Sequence, residues 1–321
     1  MKNIFICILL CQMISGCTPS LDSGKEKKVM NFGREVNVNN AGEFYTAPPW
    51  LISQVLPFRG NVPPIDNPAF VNSKEADKYL KETDSVIGLN YNGVQRAYPV
   101  KILRWHILVS EDIASEPFII AYDPLSDMGL AYKRTILEKA LTFKASDKVY
   151  NANPVFEDKE TKSLWSLFTG EAIMGRLAAQ TLEEVPVSVV AWSDWKSAHP
   201  ETEVLFIRTG FNKDYEKNVY EQYYSHNLIL FDVQNKDERL KNKVKVFGIA
   251  LDGAARAYLP DDLKRGTNMS DTIGKIKINI AVDENNIISV LRADNGERVP
   301  VRKMFWYIWA AFNANTDIYG R

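Results

Sequence analysis

Histidine and cysteine are the scarcest chemically active residues in this chain. Of 321 residues only three are histidine and three cysteine. Cys7, Cys11 and Cys17 all fall near the N-terminus, so the rest of the chain has no thiol for a disulfide, a thiolate metal site or a cysteine nucleophile. Charge of one sign is also missing: 39 Lys+Arg against 40 Asp+Glu leaves a net charge of −1. A nucleic-acid binder normally carries a basic excess or stripe, and the compact basic run here, Lys25, Lys27 and Lys28, lies in a polar tail. No phosphate-binding glycine loop, His-Glu-x-x-His pair or EF-hand pattern is present. The apolar run Ile4–Ile14, interrupted by Gln12, is too short to span a bilayer.

What is present begins at that run. Lys2 supplies a positive start, and Ile14-Ser15-Gly16-Cys17 matches the lipobox read by lipoprotein signal peptidase. The expectation is a signal peptide over 1–16, diacylglycerol on the Cys17 thiol, and a body held outside the cytoplasm. Two or three acyl chains, at about 0.8 kcal/mol per buried methylene, make such attachment effectively permanent. Thr18 follows Cys17, so no aspartate signals inner-membrane retention; in a Gram-negative host the outer membrane is expected. Residues 17–45 are polar and without apolar periodicity, and read as a lipidated tether; 46–321 reads as a single domain.

Within that domain Pro57, Pro63, Pro64 and Pro68 impose irregular extended backbone, and Asn72 caps a short helix with Glu75 three residues on. Val86–Tyr98 is strand–turn–strand around Asn92-Gly93, and Val246–Tyr258 repeats the pattern around Asp252-Gly253. At an offset of 160, Val86, Gly88, Gly93, Arg96, Ala97, Tyr98 and Leu103 recur identically. At an offset of 114, Pro186, Val187, Trp192, Trp195 and Thr202 recur as Pro300, Val301, Trp306, Trp309 and Thr316, in segments that read as a short helix entered after a proline. The offsets differ by 160 − 114 = 46, a long insertion in the first copy. The expected fold is α+β, a β-rich body built on an internal duplication, copy one about 86–207 and copy two about 246–319, joined by 208–245.

Ile65-Asp66-Asn67-Pro68, Val86-Ile87-Gly88, Asn92-Gly93, Arg96-Ala97-Tyr98-Pro99 and Trp105-His106 resemble domain-of-unknown-function family 3179. So do Tyr150-Asn151-Ala152-Asn153, Ser163-Leu164-Trp165-Ser166 and Thr169-Gly170-Glu171-Ala172-Ile173, and the resemblance covers roughly 45–321. It implies a fold but no settled activity. Typical members read Asn-Trp-His-Glu where this chain has Arg104-Trp105-His106-Ile107. They read Tyr-Cys-Pro-Leu-Cys-Gly-Thr where it has Tyr122-Asp123-Pro124-Leu125-Ser126-Asp127-Met128. A paired Cys-x-x-Cys beside His and Glu suits metal binding or thiol redox chemistry. Here Asp123, Ser126 and Ile107 replace those groups, so the resemblance implies a retained scaffold with the thiol site lost.

The candidate ligand or pocket residues are Trp105, His106, Tyr122, Asp123, Trp165 and Glu171. His106 matches the family histidine and has no counterpart in copy two; a hydrogen-bonded structural role is favoured over a ligand role. His199 aligns with Asn313 and reads as a helix terminus, and His226 as a surface residue. Asp123 reads as a turn opener, with pairing to His106 around a hard ion as the alternative. Trp165 beside Gly170 reads equally as a packed tryptophan next to a tight turn. Phe305–Trp309, hydrophobic all round, is expected to be buried between the copies. No catalytic residue and no cofactor is expected. The leading expectation is a membrane-anchored envelope protein that binds a ligand or partner without catalysis. A metal or redox protein using His106 and Asp123 is the alternative, and a hydrolase using Ser126 ranks third.

Overall fold

The computed structural model describes residues 27–54 and 63–321. The leader 1–16, the lipidation site Cys17, the start of the tether and Pro57 lie outside the described residues. The body is β-rich and partly propeller-like, 44% strand and 11% helix. Among the described residues the helices are short, none longer than seven residues, and none is long and apolar enough to cross a membrane.

The first sheet is organised by the hairpin Ser85–Tyr91/Val94–Pro99, whose turn residues Asn92 and Gly93 both take positive φ, 47° and 83°. Asparagine and glycine tolerate that region, and the twist of the turn matches the strands. Strand Ser188–Ala191 pairs antiparallel on one side, and Glu203–Leu205 pairs parallel on the other. A short helix, Trp192–Ala198, follows Ser188–Ala191 directly and lays Trp195 across Gly88. An ideal Cβ at Gly88 would stand 2.2 Å from the Trp195 ring. The indole N–H donates to Thr202 Oγ1 at 3.0 Å, so a wholly buried tryptophan has its polar edge satisfied.

A second sheet has the same wiring. The hairpin Lys245–Leu251/Ala254–Tyr258 turns through Asp252 and Gly253 at φ 48° and 80°. Arg302–Phe305 flanks it antiparallel and Asp317–Ile318 parallel. Register pairs correspond throughout: Ser188 faces Gly88 and Arg302 faces Gly248, while Glu203 faces Arg96 and Asp317 faces Arg256. Gly248 lies 2.2 Å, by its ideal Cβ, from the Trp309 ring, whose N–H donates to Thr316 Oγ1 at 2.8 Å. His199 and Asn313 end their helices at nearly the same backbone angles, φ −135° and −131°. The segments after Pro186 and Pro300 differ from the sequence reading in one respect: four strand residues precede each helix. The β-branched pair Val189 and Val190 shows why in the first, since it pairs with Ile87 and Val86 before the chain turns helical.

Two further sheets lie largely between these segments in the chain. Leu108–Ile113, Glu116–Asp123 and Met128–Lys133 form an antiparallel sheet with Glu183–Val185. An eight-stranded sheet combines four strands of 143–174 with Lys27–Asn31, Arg34–Val38, Phe44–Tyr45 and Ile52–Gln54. Strands are thus present from Lys27, within the stretch that the sequence reads as a tether. Valines at 29 and 36 face Ala178 and Ala179, and Asn31 and Arg34 donate side-chain hydrogen bonds to backbone carbonyls of 176–179. Short alternating strands in a polar stretch give too weak an apolar signal to be seen in sequence. Phe305–Trp309 lies in the largest core, against Phe168, Trp165 and Phe143 of 143–174. The expected burial is present, but its partners come largely from that stretch.

Candidate functional site

His106 ends the helix Val100–His106 and is fully buried. Its Nδ1 donates to the Pro63 carbonyl at 3.0 Å, and its Nε2 accepts from the Tyr215 hydroxyl at 2.6 Å. Tyr215 in turn accepts from Thr209 Oγ1 at 2.5 Å. The carbonyl can only accept, so Nδ1 carries the proton, and in the neutral imidazole Nε2 is then the acceptor. Burial pushes the His106 pKa below its ordinary value, in keeping with that state. The ring therefore ties helix Val100–His106 to the segment before Ile65 and to the chain joining the two like-wired sheets.

Asp123 lies elsewhere, also wholly buried, and its carboxylate accepts from Ser126 Oγ at 2.5 Å, Asn153 Nδ2 at 2.9 Å and Leu125 N at 2.9 Å. Asp123 and Ser126 thus belong to a hydrogen-bonded turn. Tyrosines cover it: Tyr224 donates to the Pro124 carbonyl at 2.8 Å, and Tyr223 and Tyr307 to that of Leu125 at 3.0 and 3.2 Å. Tyr122 donates to Asp127 at 2.8 Å. The bonds of His106 run to Pro63 and Tyr215, and those of Asp123 to Leu125, Ser126 and Asn153. Trp165 is core, its N–H donating to Asp158 at 2.9 Å. Glu171 is half-buried in a bridge with Thr181. Trp105 is half-buried, with Lys213 5.4 Å over its ring and a buried, unpartnered indole N–H. The six candidates are thus dispersed through the body rather than gathered around one opening. His226 is exposed. Among the described residues no group of three or more His, Cys, Asp and Glu is placed to hold a metal.

A different constellation does open on a cavity. Asp66, Asn67 and Pro68 run along the edge of strand Leu108–Ile113, because Ile65 bridges to Val109. With Phe70, Arg96, Ser110, Glu111, Asp112, Arg134 and Thr142 they enclose about 460 Å³. Arg96 holds Glu111 and, at 3.1 Å, Glu203, and Tyr98 donates to Glu111 as well. Two polar atoms in this wall are buried and meet no partner: the Ser110 hydroxyl and Arg134 Nε. An unmade hydrogen bond on a buried group typically costs about 1–3 kcal/mol, so such groups call for a reason. Sequence reasoning quoted Asp66 and Arg96 within motifs but missed Ser110, Glu111 and Arg134. The bond from Arg96 to Glu111 spans 15 residues and two sheets, with no spacing rule to reveal it.

The clamp alone is not the site, since the second sheet has its own. Arg256 and Tyr258 both donate to Asp271 at 2.5 Å, and Arg256 reaches Asp317 at 3.2 Å. Environment separates the two. Burial raises Asp271, but the bonds from Arg256 and Tyr258 outweigh it and hold that carboxyl below its usual range. Deeper burial of Glu111 wins over Tyr98 and Arg96 and pushes its pKa up to about 7.

This has a measurable consequence. Between 4.5, the ordinary glutamate value, and about 7, the unfolded chain has released a proton that folded Glu111 retains, so stability falls as pH rises through that window. The span corresponds to about 3 kcal/mol. Glu111→Gln removes the titration, so its stability relative to wild type should rise by about that amount across the window. Urea midpoints of both proteins, measured at several pH values, check this. A relative stability that falls with pH instead would mean that the Arg96 ion pair controls the carboxyl.

The fold and the cavity define a β-rich body with two like-wired sheets and a polar chamber beside the first. The chain belongs to the family described as "Protein of unknown function (DUF3179)", whose model matches residues 59–296. Neither a curated protein nor a solved structure gave a match.

Proposed function

We propose that this protein is a lipid-anchored component of a bacterial envelope whose body binds a small polar ligand, without catalysis, in the Arg96–Glu111 cavity. The observation that carries the reading is the unpartnered pair at its wall, the Ser110 hydroxyl and Arg134 Nε. Both atoms are closed to solvent as the wall stands, so a ligand would reach them through a small shift of the lining, and satisfying them would then favour binding. The cavity is also where two stretches of the family resemblance meet, Ile65–Pro68 and Arg96–Pro99. Attachment through Cys17, and the outer membrane as destination in a Gram-negative host, rest on the lipobox. The body itself is, in this reading, an internal duplication. The matching registers, the paired glycine–tryptophan contacts and the two Arg–carboxylate–Tyr clamps support that origin. The inserted layers then differ: 108–185 carries the cavity wall, whereas the second sheet has only the three-stranded meander 268–292.

The test works whatever the ligand is. If Ser110 serves binding, Ser110→Ala removes an unsatisfied hydroxyl and should stabilise the protein by about 1 kcal/mol. Thermal melting of the full chain measures this. A loss of stability would mean that the hydroxyl works for the fold, and the cavity reading would fall.

A further inference from the structure

A second cleft, unrelated to the Arg96–Glu111 cavity, lies between the two like-wired sheets. Ser188–Ala191 is an edge strand of the first sheet and Arg302–Phe305 of the second, and these edges approach each other across about 390 Å³ of space. Part of the wall is apolar, made by Val187, Val189, Phe247, Leu263, Ile288 and Val301, and polar side chains such as Asn286 complete it. Its charge is one-sided, with Lys264, Arg265 and Lys303 against the single carboxylate of Asp194. Asp194 is already engaged, accepting from Asn286 Nδ2 at 2.9 Å and from Arg265 at 3.4 Å.

Lys303 is the unusual member. Its Nζ donates to the Val189 carbonyl at 3.1 Å and makes no ion pair among the described residues. Nearby Asp127 is bonded by Lys245 at 2.6 Å and by Tyr122 at 2.8 Å. Burial, with Lys245 close by, lowers the Lys303 pKa. An ammonium kept in an apolar cleft without a counterion is normally costly, and an incoming anion relieves that cost.

We propose that this cleft binds an amphipathic monoanion, an unbranched alkyl chain ending in a carboxylate, with the chain along Val189, Phe247 and Val301 and the carboxylate on Lys303. The volume falls in the range of small-molecule sites. Aliphatic walls favour an alkyl chain over a sugar. Lys303 occupies the Val189 carbonyl on the strand edge, which blocks an added peptide strand from continuing the ladder there. A single half-buried ammonium, rather than a nest of backbone N–H groups, suits a monoanion better than a phosphate.

Octanoate labelled at its carboxyl carbon is the probe, titrated by NMR into the full-length protein held in lipid nanodiscs. Saturable binding is expected, with 1-octanol at least about tenfold weaker. Lys303→Met should weaken octanoate by about tenfold or more and leave octanol unchanged, while Lys303→Arg retains octanoate binding. Equal affinities for octanoate and octanol in the wild type would overturn the proposal without recourse to any variant. So would octanoate binding that Lys303→Met, folded by circular dichroism, does not weaken, or no saturable binding at all.

Discussion

The Cys17→Ala protein is expected to disappear from the membrane fraction as a lipidated species and to accumulate at its unprocessed size. The lipobox Ile14–Cys17 motivates this: diacylglycerol transfer needs the Cys17 thiol, and signal peptidase of this class cleaves only after transfer. Cys7 and Cys11 cannot substitute, since each follows a bulky residue, Ile6 and Leu10, where the lipobox needs a small one. Because two or three acyl chains anchor far more strongly than the marginal hold of a single chain, the expected change is complete. Metabolic labelling with palmitate followed by fractionation measures it. A wild-type protein that takes up no label and stays at full length would refute both the anchor and the envelope location drawn from it.

Gly88→Ala and Gly248→Ala should be the most damaging small substitutions in the body. Neither glycine has positive φ, so alanine suits the backbone at both positions; the obstacle is the indole ring at 2.2 Å in each. Trp195 and Trp309 cannot retreat, because both are buried to about 1% exposure or less and tied at Nε1 to Thr202 and Thr316. Overpacking in a close-packed interior typically costs about 1–3 kcal/mol, and a contact this short belongs at the upper end or beyond. A double-mutant cycle isolates the cause. Gly88→Ala made on a Trp195→Leu background should cost far less than on the wild type, and Gly248 with Trp309 should behave alike. Additive effects, or a large cost at one glycine and none at the other, would contradict the equivalence of the two sheets.

The sequence carried the hairpins plainly. Asn92-Gly93 and Asp252-Gly253 are turn signals because positive φ is a local property, settled by two residues and independent of the rest of the chain. The Asn72 cap was equally legible, with its side chain accepting from Glu75 N at 3.0 Å. Repetition at offsets of 160 and 114 marked Gly88 with Trp195 and Gly248 with Trp309 as related positions. It could not say that each glycine exists to admit its tryptophan. The strands at 27–38 were missed because burial there is made by distant alanines, Ala178 and Ala179, rather than by the strands' own periodicity.

The candidate site divides along the same line. Sequence alone determined where hydrogen-bonding turns and chain reversals fall, that the body has no thiol chemistry, and that Asp66 and Arg96 belong to recurring motifs. Tertiary structure decided that His106 ends in a chain of hydrogen bonds through Tyr215 to Thr209. It also decided that Glu111, rather than Asp271, is the carboxyl pushed up to about 7. Both carboxylates sit in the same local clamp of arginine and tyrosine. The difference is desolvation, and desolvation is set by which strands cover a group, a quantity summed over residues far apart in the chain.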